Sequence, residues 1–144
     1  MGSSKIIMLS GVYLIFGFYI VAFNNADEMM YKSAMKTATL AQSEQLANTG
    51  LSLAKTYMAD YSSRYTFEPR MFVSGNDTVR YSAARPSGFL PSQTQVISVA
   101  SHTTVVDNEV KVTRIVTQTS VFQFHNGRWK MLRTFTEREY QDSF

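Results

Sequence analysis

The side chains that could support catalysis are few in this sequence and widely separated. The only histidines are His102 and His125, and the chain has no cysteine, which excludes thiol catalysis, cysteine metal sites and disulfides. A metal site would need further ligands at helical or hairpin spacing from a histidine, and none stand out. Most carboxylates stand singly rather than as an acid and base pair. We therefore expect no catalytic residue, no metal ligand and no cofactor, and we expect that the protein is not an enzyme.

Basic residues do not make a strong case for a nucleic-acid partner. The net charge is +3 over 144 residues, an excess that solubility explains as well as an anionic partner does. The run Arg128-Trp129-Lys130 interleaves cations with an aromatic ring, as in proteins that bind single-stranded nucleic acid. The same run fits an ordinary exposed face of a strand, which is the interpretation we favour.

The most informative feature is an uncharged apolar segment at residues 6–23. As a helix it would span roughly 27 Å, close to the hydrocarbon thickness of a bilayer. A cleaved signal peptide is disfavoured because Phe23-Asn24-Asn25 lacks the small residues of a cleavage site. Two interpretations stay open, a permanent membrane anchor and a segment that first lies in the membrane and later packs against copies of itself.

Residues 27–61 have the apolar periodicity of a long helix that docks on a sheet. A stripe runs along one face of this helix, and other apolar residues widen it. The stripe is Ala47, Leu51, Ala54, Met58 and Tyr61, widened by Leu46, Leu53 and Tyr57. Earlier in the helix, Ala34, Ala38 and Ala41 form a face of small residues that suits close helix approach. Gly50 indicates either a close contact or a tolerated glycine.

Beyond the helix, which should end near residues 62–63, valine, threonine, isoleucine and aromatic residues alternate with turn residues. Strands are predicted at residues 70–74, 78–83, 95–106, 109–124 and 128–136. Asn126-Gly127 predicts a tight hairpin, because both central residues of such a turn need positive φ. The apolar parity of the fourth strand changes between Val112 and Ile115, which predicts a bulge near residues 113–114.

The predicted fold class is therefore α+β, a long N-terminal helix packed on a C-terminal antiparallel meander. Three segments are expected, residues 1–23 as the apolar membrane or filament-core segment, 24–62 as the amphipathic continuation, and 63–144 as the β-rich domain. Trp129, Met131 and Phe135 fall on one face of the last strand and are expected to pack against the helix with Leu46, Leu53 and Tyr57.

This layout resembles the type IV pilin superfamily, which includes pseudopilins and minor pilins. The matching residues are the apolar run 6–23 and the Ala/Gln/Glu-rich stretch 36–54, which has a glycine, Gly50, before the last turns of the helix. Lys5 stands where the family usually has glutamate.

The resemblance implies a structural subunit that is held in the inner membrane and then extracted into an extracellular helical filament. Its partners would be copies of itself in a homopolymer, the membrane before assembly, and the pilus assembly machinery. Apolar side chains of the first segment would pack together in the filament core. These are Ile6, Ile7, Leu9, Val12, Leu14, Ile15, Phe16, Phe18, Ile20 and Phe23. Gly11 and Gly17 could allow local unwinding of the helix.

The alternative is a bitopic inner-membrane protein whose periplasmic domain joins an envelope or secretion complex. In that case we expect the helix to break soon after Phe23.

Overall fold

The computed structural model describes residues 2–60, 65–107 and 110–143, and these residues form one helix and five strands. The elements are α1 (Gly2–Asp60), β1 (Phe67–Ser74), β2 (Asp77–Ala84), β3 (Gln93–Asp107), β4 (Val110–His125) and β5 (Arg128–Ser143). The strands form one antiparallel sheet in the order β1-β2-β3-β4-β5, so every strand pairs with its neighbours in sequence. The predicted α+β class with a C-terminal meander is confirmed. The predicted helix end at residues 62–63 and Tyr61 lie outside the described residues.

A tight turn connects β4 to β5, as the sequence predicts. Asn126 and Gly127 join β4 to β5 with φ of 51° and 75°, the left-handed conformation that a two-residue hairpin turn requires. Strand β5 extends to Ser143, well beyond the predicted end at residue 136, and its pairing with β4 continues to the last described residues.

The chain divides into two compact units, one up to Met35 and one from Lys36 onward. Within the second unit, α1 runs nearly antiparallel to β3. Thr39 contacts Thr104, Ser98 donates a hydrogen bond to the carbonyl of Ala47, and Met58 shares a core cluster with Val96. Successive turns of the helix therefore lie over successively earlier residues of the strand.

One face of α1 is buried against the sheet. Ala47, Leu51, Ala54 and Met58 are each at most 4% exposed, which confirms the stripe read from the sequence. Leu46 is half-buried against the core cluster that contains Val79 and Ala100, and the ring of Tyr57 meets that of Phe67 edge-to-face with the centroids 4.9 Å apart.

Leu53 corrects the expected packing of this helix. Its side chain is 37% exposed and belongs to neither buried cluster of the helix–sheet interface. Leu53 therefore lies outside the buried face of the helix.

Strand β4 corrects the predicted bulge. Its pairing with β3 and β5 is continuous through Thr113 and Arg114. Alternate residues from Val112 to Phe122 are buried, and Arg114, only 4% exposed, holds one of the inward positions. The apparent change of parity arose because Ile115 belongs to the other face of the sheet.

Strand β5 corrects the expected packing of Phe135 and Met131. Trp129 is buried in the core as expected, but the pairing shifts between Met131 and Arg133, so Leu132 has no cross-strand partner. This bulge turns Phe135 to the face away from the helix, where it is 65% exposed. Met131 lies opposite Phe122 but remains 44% exposed on the edge strand.

Gly50 lies where α1 comes very close to the sheet. A Cβ atom at this position would stand 2.1 Å from Ser98 Oγ and 2.7 Å from Val79 Cγ1. Of the two interpretations of this glycine, the close contact is the one observed.

We expect Gly50→Ala to destabilise the protein even though alanine is the better helix former. The helix-propensity gain is about 1 kcal/mol, whereas overpacking a tight interface costs about 1–3 kcal/mol and here includes a contact with a hydrogen-bonded serine. Urea unfolding of the full chain in detergent, followed by the fluorescence of Trp129, measures the change. Asn48→Ala, on the exposed side of the same helix, is the control and should be neutral or stabilising. A stabilised Gly50→Ala protein would contradict the expectation.

Candidate functional site

The first unit presents a long apolar surface. Large side chains in the segment 6–23 are between 44% and 75% exposed. By length and composition, the part of α1 that carries them is a candidate transmembrane helix. Side chains of this kind are driven out of water by the hydrophobic effect, so the segment is consistent with membrane anchoring.

All ten residues expected to form the filament core lie on this apolar surface. They are Ile6, Ile7, Leu9, Val12, Leu14, Ile15, Phe16, Phe18, Ile20 and Phe23. They are distributed around the whole circumference of the helix rather than along one stripe, as expected of a helix surrounded on all sides by lipid or by other helices.

Gly11 and Gly17 are α-helical, and the helix runs through both without interruption. A Cβ atom at either position would meet no heavy atom within 4 Å. Local unwinding of the helix at these glycines is expected in the assembled filament, and it stays a prediction.

The charged residues that follow the apolar segment include an ion pair within the helix. Lys32 Nζ lies 2.6 Å from Glu28 Oε1, at the i, i+4 spacing. The hydrogen bond and the charge of Lys32 lower the pKa of Glu28 from its usual value. This pair lies just beyond the apolar segment.

Within the second unit, the interface between α1 and the sheet has two chemically different halves. The half toward the end of the helix is apolar, with Leu51, Ala54 and Met58 packed against Phe122 and Trp129. Aromatic rings extend this cluster, since Tyr65 meets Trp129 edge-to-face at 5.1 Å. Burial of large side chains stabilises this half by the hydrophobic effect.

The half that begins at Thr39 is polar. Thr39 Oγ1 lies 2.8 Å from Thr104 Oγ1, and Thr104 Oγ1 lies 3.1 Å from Nε2 of His102. The other ring nitrogen of His102 is bonded to Asp77. Ser43, fully buried, donates to the carbonyl of Arg114 at 2.9 Å. His102 is thus part of the packing between helix and sheet.

An ionic cluster closes this polar half. Arg114 is paired with Asp142, and Lys36 Nζ approaches the other carboxylate oxygen of Asp142 at 3.1 Å. The guanidinium of Arg114 also lies 4.9 Å from the ring centre of Tyr140. The hydrogen bond from Arg114, aided by Lys36, holds the pKa of Asp142 below its usual value against the opposing effect of burial. We refer to Lys36, Arg114 and Asp142 as the ionic cluster.

A second ion pair links the helix to the edge strand. Arg138 Nε lies 2.6 Å from Glu44 Oε1, and this contact raises the pKa of Arg138. Both side chains are partly exposed, so the contribution of the pair to stability is modest.

The small residues Ala34, Ala38 and Ala41 do not face the sheet. All three are exposed. The sheet-facing side of this stretch is instead lined by Thr39 and Ser43, which approach the strands closely because their side chains are short.

The ionic cluster was not predicted, although the sequence carries a signal for it. Every second residue from Val112 to Phe122 shares one face, and this regular alternation places Arg114 inward. The apolar side chain of Ile115 indicated the opposite parity instead. Asp142 could not be matched to Arg114, because residues after 136 were not predicted as strand.

Among the described residues, no group of three or more histidine, aspartate or glutamate side chains could hold a metal ion. Thr39, Ser43 and Ser98 are hydrogen-bonded across the helix–sheet interface, whereas Gln118 Oε1 and Trp129 Nε1 are buried without a hydrogen-bond partner in the described part of the chain. These hydrogen bonds and ion pairs hold the helix on the sheet.

The architecture is pilin-like, with a long helix whose first segment is apolar and an antiparallel sheet after it. Comparisons of the chain with protein-family models, with curated proteins and with solved structures give no significant match.

Proposed function

We propose that this protein is a structural subunit of an extracellular filament of the type IV pilus kind, held in the inner membrane before assembly. In this proposal, the segment 6–23 packs with the same segment of other copies in the filament core. The β-domain covers the outside, and assembly machinery extracts the subunit from the membrane. The function is structural rather than catalytic.

The observation that carries the proposal is the exposed apolar surface around the whole circumference of the segment 6–23. Lipid can cover such a surface, and so can a bundle of identical helices. A segment of this kind can therefore exchange the membrane for neighbouring copies without exposing its side chains to water.

Helix continuity favours the filament over a bitopic protein of an envelope complex. The latter was expected to break its helix soon after Phe23. Helix α1 instead continues without a break from Gly2 to Asp60, through the first polar residues and onto the sheet. In a filament subunit, a continuous helix would connect the core segment firmly to the β-domain, so that both move together when the subunit is extracted from the membrane.

Electron microscopy of negatively stained material sheared from cells tests the proposal. We expect filaments that bind antibodies raised against the β-domain, and we expect the chain in the sheared fraction. Cells that lack the gene are the control for other surface filaments. A chain found strictly in the membrane fraction, with no labelled filament, would contradict the proposal and support the bitopic alternative.

A further inference from the structure

One face of the sheet is covered by α1, and none of the described helix or strand segments covers the other. We call the uncovered side the outer face. Cross-strand pairing assigns residues to it without ambiguity. Val79, Ala100 and Val116 are paired neighbours buried toward the helix, and the next residue in that row, Arg138, contacts Glu44 of α1.

The adjacent row lies on the outer face, because successive side chains of a strand point to opposite faces. Its members are Arg80, Val99, Thr117 and Glu137, each paired with the next across the sheet. A cation on β2 and an anion on β5 thus flank an uncharged centre on β3 and β4. Both charged residues are exposed, and among the described residues neither has an ion-pair partner.

Arg80 and Glu137 cannot neutralise each other within one chain. They are three strand spacings apart, or about 14 Å. The outer face also presents Phe135, level with Ile97 and Thr119 in the next row and 65% exposed. An exposed aromatic ring near an unpaired anion, with an unpaired cation across the same face of the sheet, indicates a surface made for a partner.

We propose that the partner is a second copy of this chain, joined outer face to outer face about a two-fold axis that runs along the strands between β3 and β4. This axis exchanges β2 with β5. It sets Arg80 of each copy opposite Glu137 of the second copy, and Val99 opposite Thr117. The row is therefore self-complementary, as an isologous interface requires, and it forms two intermolecular ion pairs. Two sheets packed face to face in this way would lie about 10 Å apart.

The direction of α1 within the second unit agrees with this symmetry. The helix runs nearly antiparallel to β3, so a two-fold axis along the strands leaves the helices of both copies pointing the same way. The Lys36 ends of both copies then lie at the same end of the dimer. Pairing through an exposed edge strand about an axis perpendicular to the sheet would reverse one helix.

Because the chain has no native cysteine, one introduced thiol reports on the interface. Val99 lies close to the proposed axis, so full-length Val99→Cys in native membranes should be cross-linked to a dimer by a short bismaleimide. Ser52→Cys, on the exposed side of α1, is the matched control and should stay monomeric under the same treatment.

Charge exchange in the Val99→Cys background tests the pairing itself. We expect Arg80→Glu or Glu137→Arg alone to reduce the cross-linked fraction about tenfold, because each places like charges opposite one another. The double variant Arg80→Glu/Glu137→Arg should restore most of it. Trp129 fluorescence checks that each variant is folded.

Three outcomes would overturn the proposal. One is a Val99→Cys protein that does not cross-link, and another is a product that contains a different protein. The third is a double variant as weak as the single ones. The measurement uses the membrane pool, so it is independent of whether filaments form.

Discussion

Replacing Leu14 with arginine is expected to abolish filament assembly. Leu14 lies near the middle of the apolar segment, where its side chain is 63% exposed and available to lipid or to neighbouring helices. A charge at the centre of a membrane helix costs about 2.5–3.5 kcal/mol on insertion scales, which an otherwise apolar segment can tolerate. In a packed helical core the same charge would be buried without a partner in every subunit, at a cost of several kcal/mol for each. The chain should therefore remain in the membrane while the filaments disappear.

Microscopy of sheared material and membrane fractionation measure the two parts of this result. Ile15→Arg should behave like Leu14→Arg. Leu14→Met, which keeps the volume and apolar character of the side chain, and Ser52→Arg, on the exposed side of α1, are controls that should assemble normally. Filaments of normal number and length from Leu14→Arg would show that the segment does not form the core.

Breaking the ionic cluster is expected to have the largest effect on the stability of the β-domain. Asp142→Asn leaves the buried guanidinium of Arg114 without its carboxylate, and the loss of such a partner costs on the order of 2–4 kcal/mol. This is a large share of the stability of an ordinary domain. Urea unfolding of the full chain in detergent, followed by Trp129 fluorescence, gives the difference. Arg114→Met/Asp142→Asn should be less destabilised than Asp142→Asn, because no unpaired charge stays buried.

The same cluster predicts how stability depends on pH. The pKa of Asp142 is lowered in the folded state, so its contribution is present above the ordinary aspartate pKa of about 4 and is lost as pH falls through the folded value. Stability should therefore decrease toward acid, and Asp142→Asn should flatten this part of the curve. Glu139→Gln, an exposed carboxylate on the same strand, should leave the curve close to wild type. An unchanged acid slope in Asp142→Asn would contradict the assignment.

Local patterns were sufficient for most of the fold. The apolar stripe of Ala47, Leu51, Ala54 and Met58 predicted the buried face of α1, because helical periodicity follows from 3.6 residues per turn. Asn126-Gly127 predicted its hairpin because few other residues adopt positive φ. Each of these signals depends on residues close together in the chain.

The errors came from positions where a neighbouring strand decides the outcome. Phe135 was placed on the inner face by simple alternation, but the bulge at Leu132 reverses the parity of the strand after it. Nothing in residues 128–136 alone specifies that bulge, since it is defined by the pairing with β4. Arg114 was not recognised as an inward residue because its partner lies 28 residues away, on a strand longer than predicted.

The sequence by itself determined that the chain begins with an apolar, membrane-length segment and continues as a helix followed by an antiparallel meander, because apolar content and periodicity are properties of consecutive residues. Only the tertiary structure decided which charges are buried, why residue 50 must be a glycine, and which face of the sheet is left uncovered. These depend on distances between residues far apart in the chain, which arise only when the helix and the strands pack.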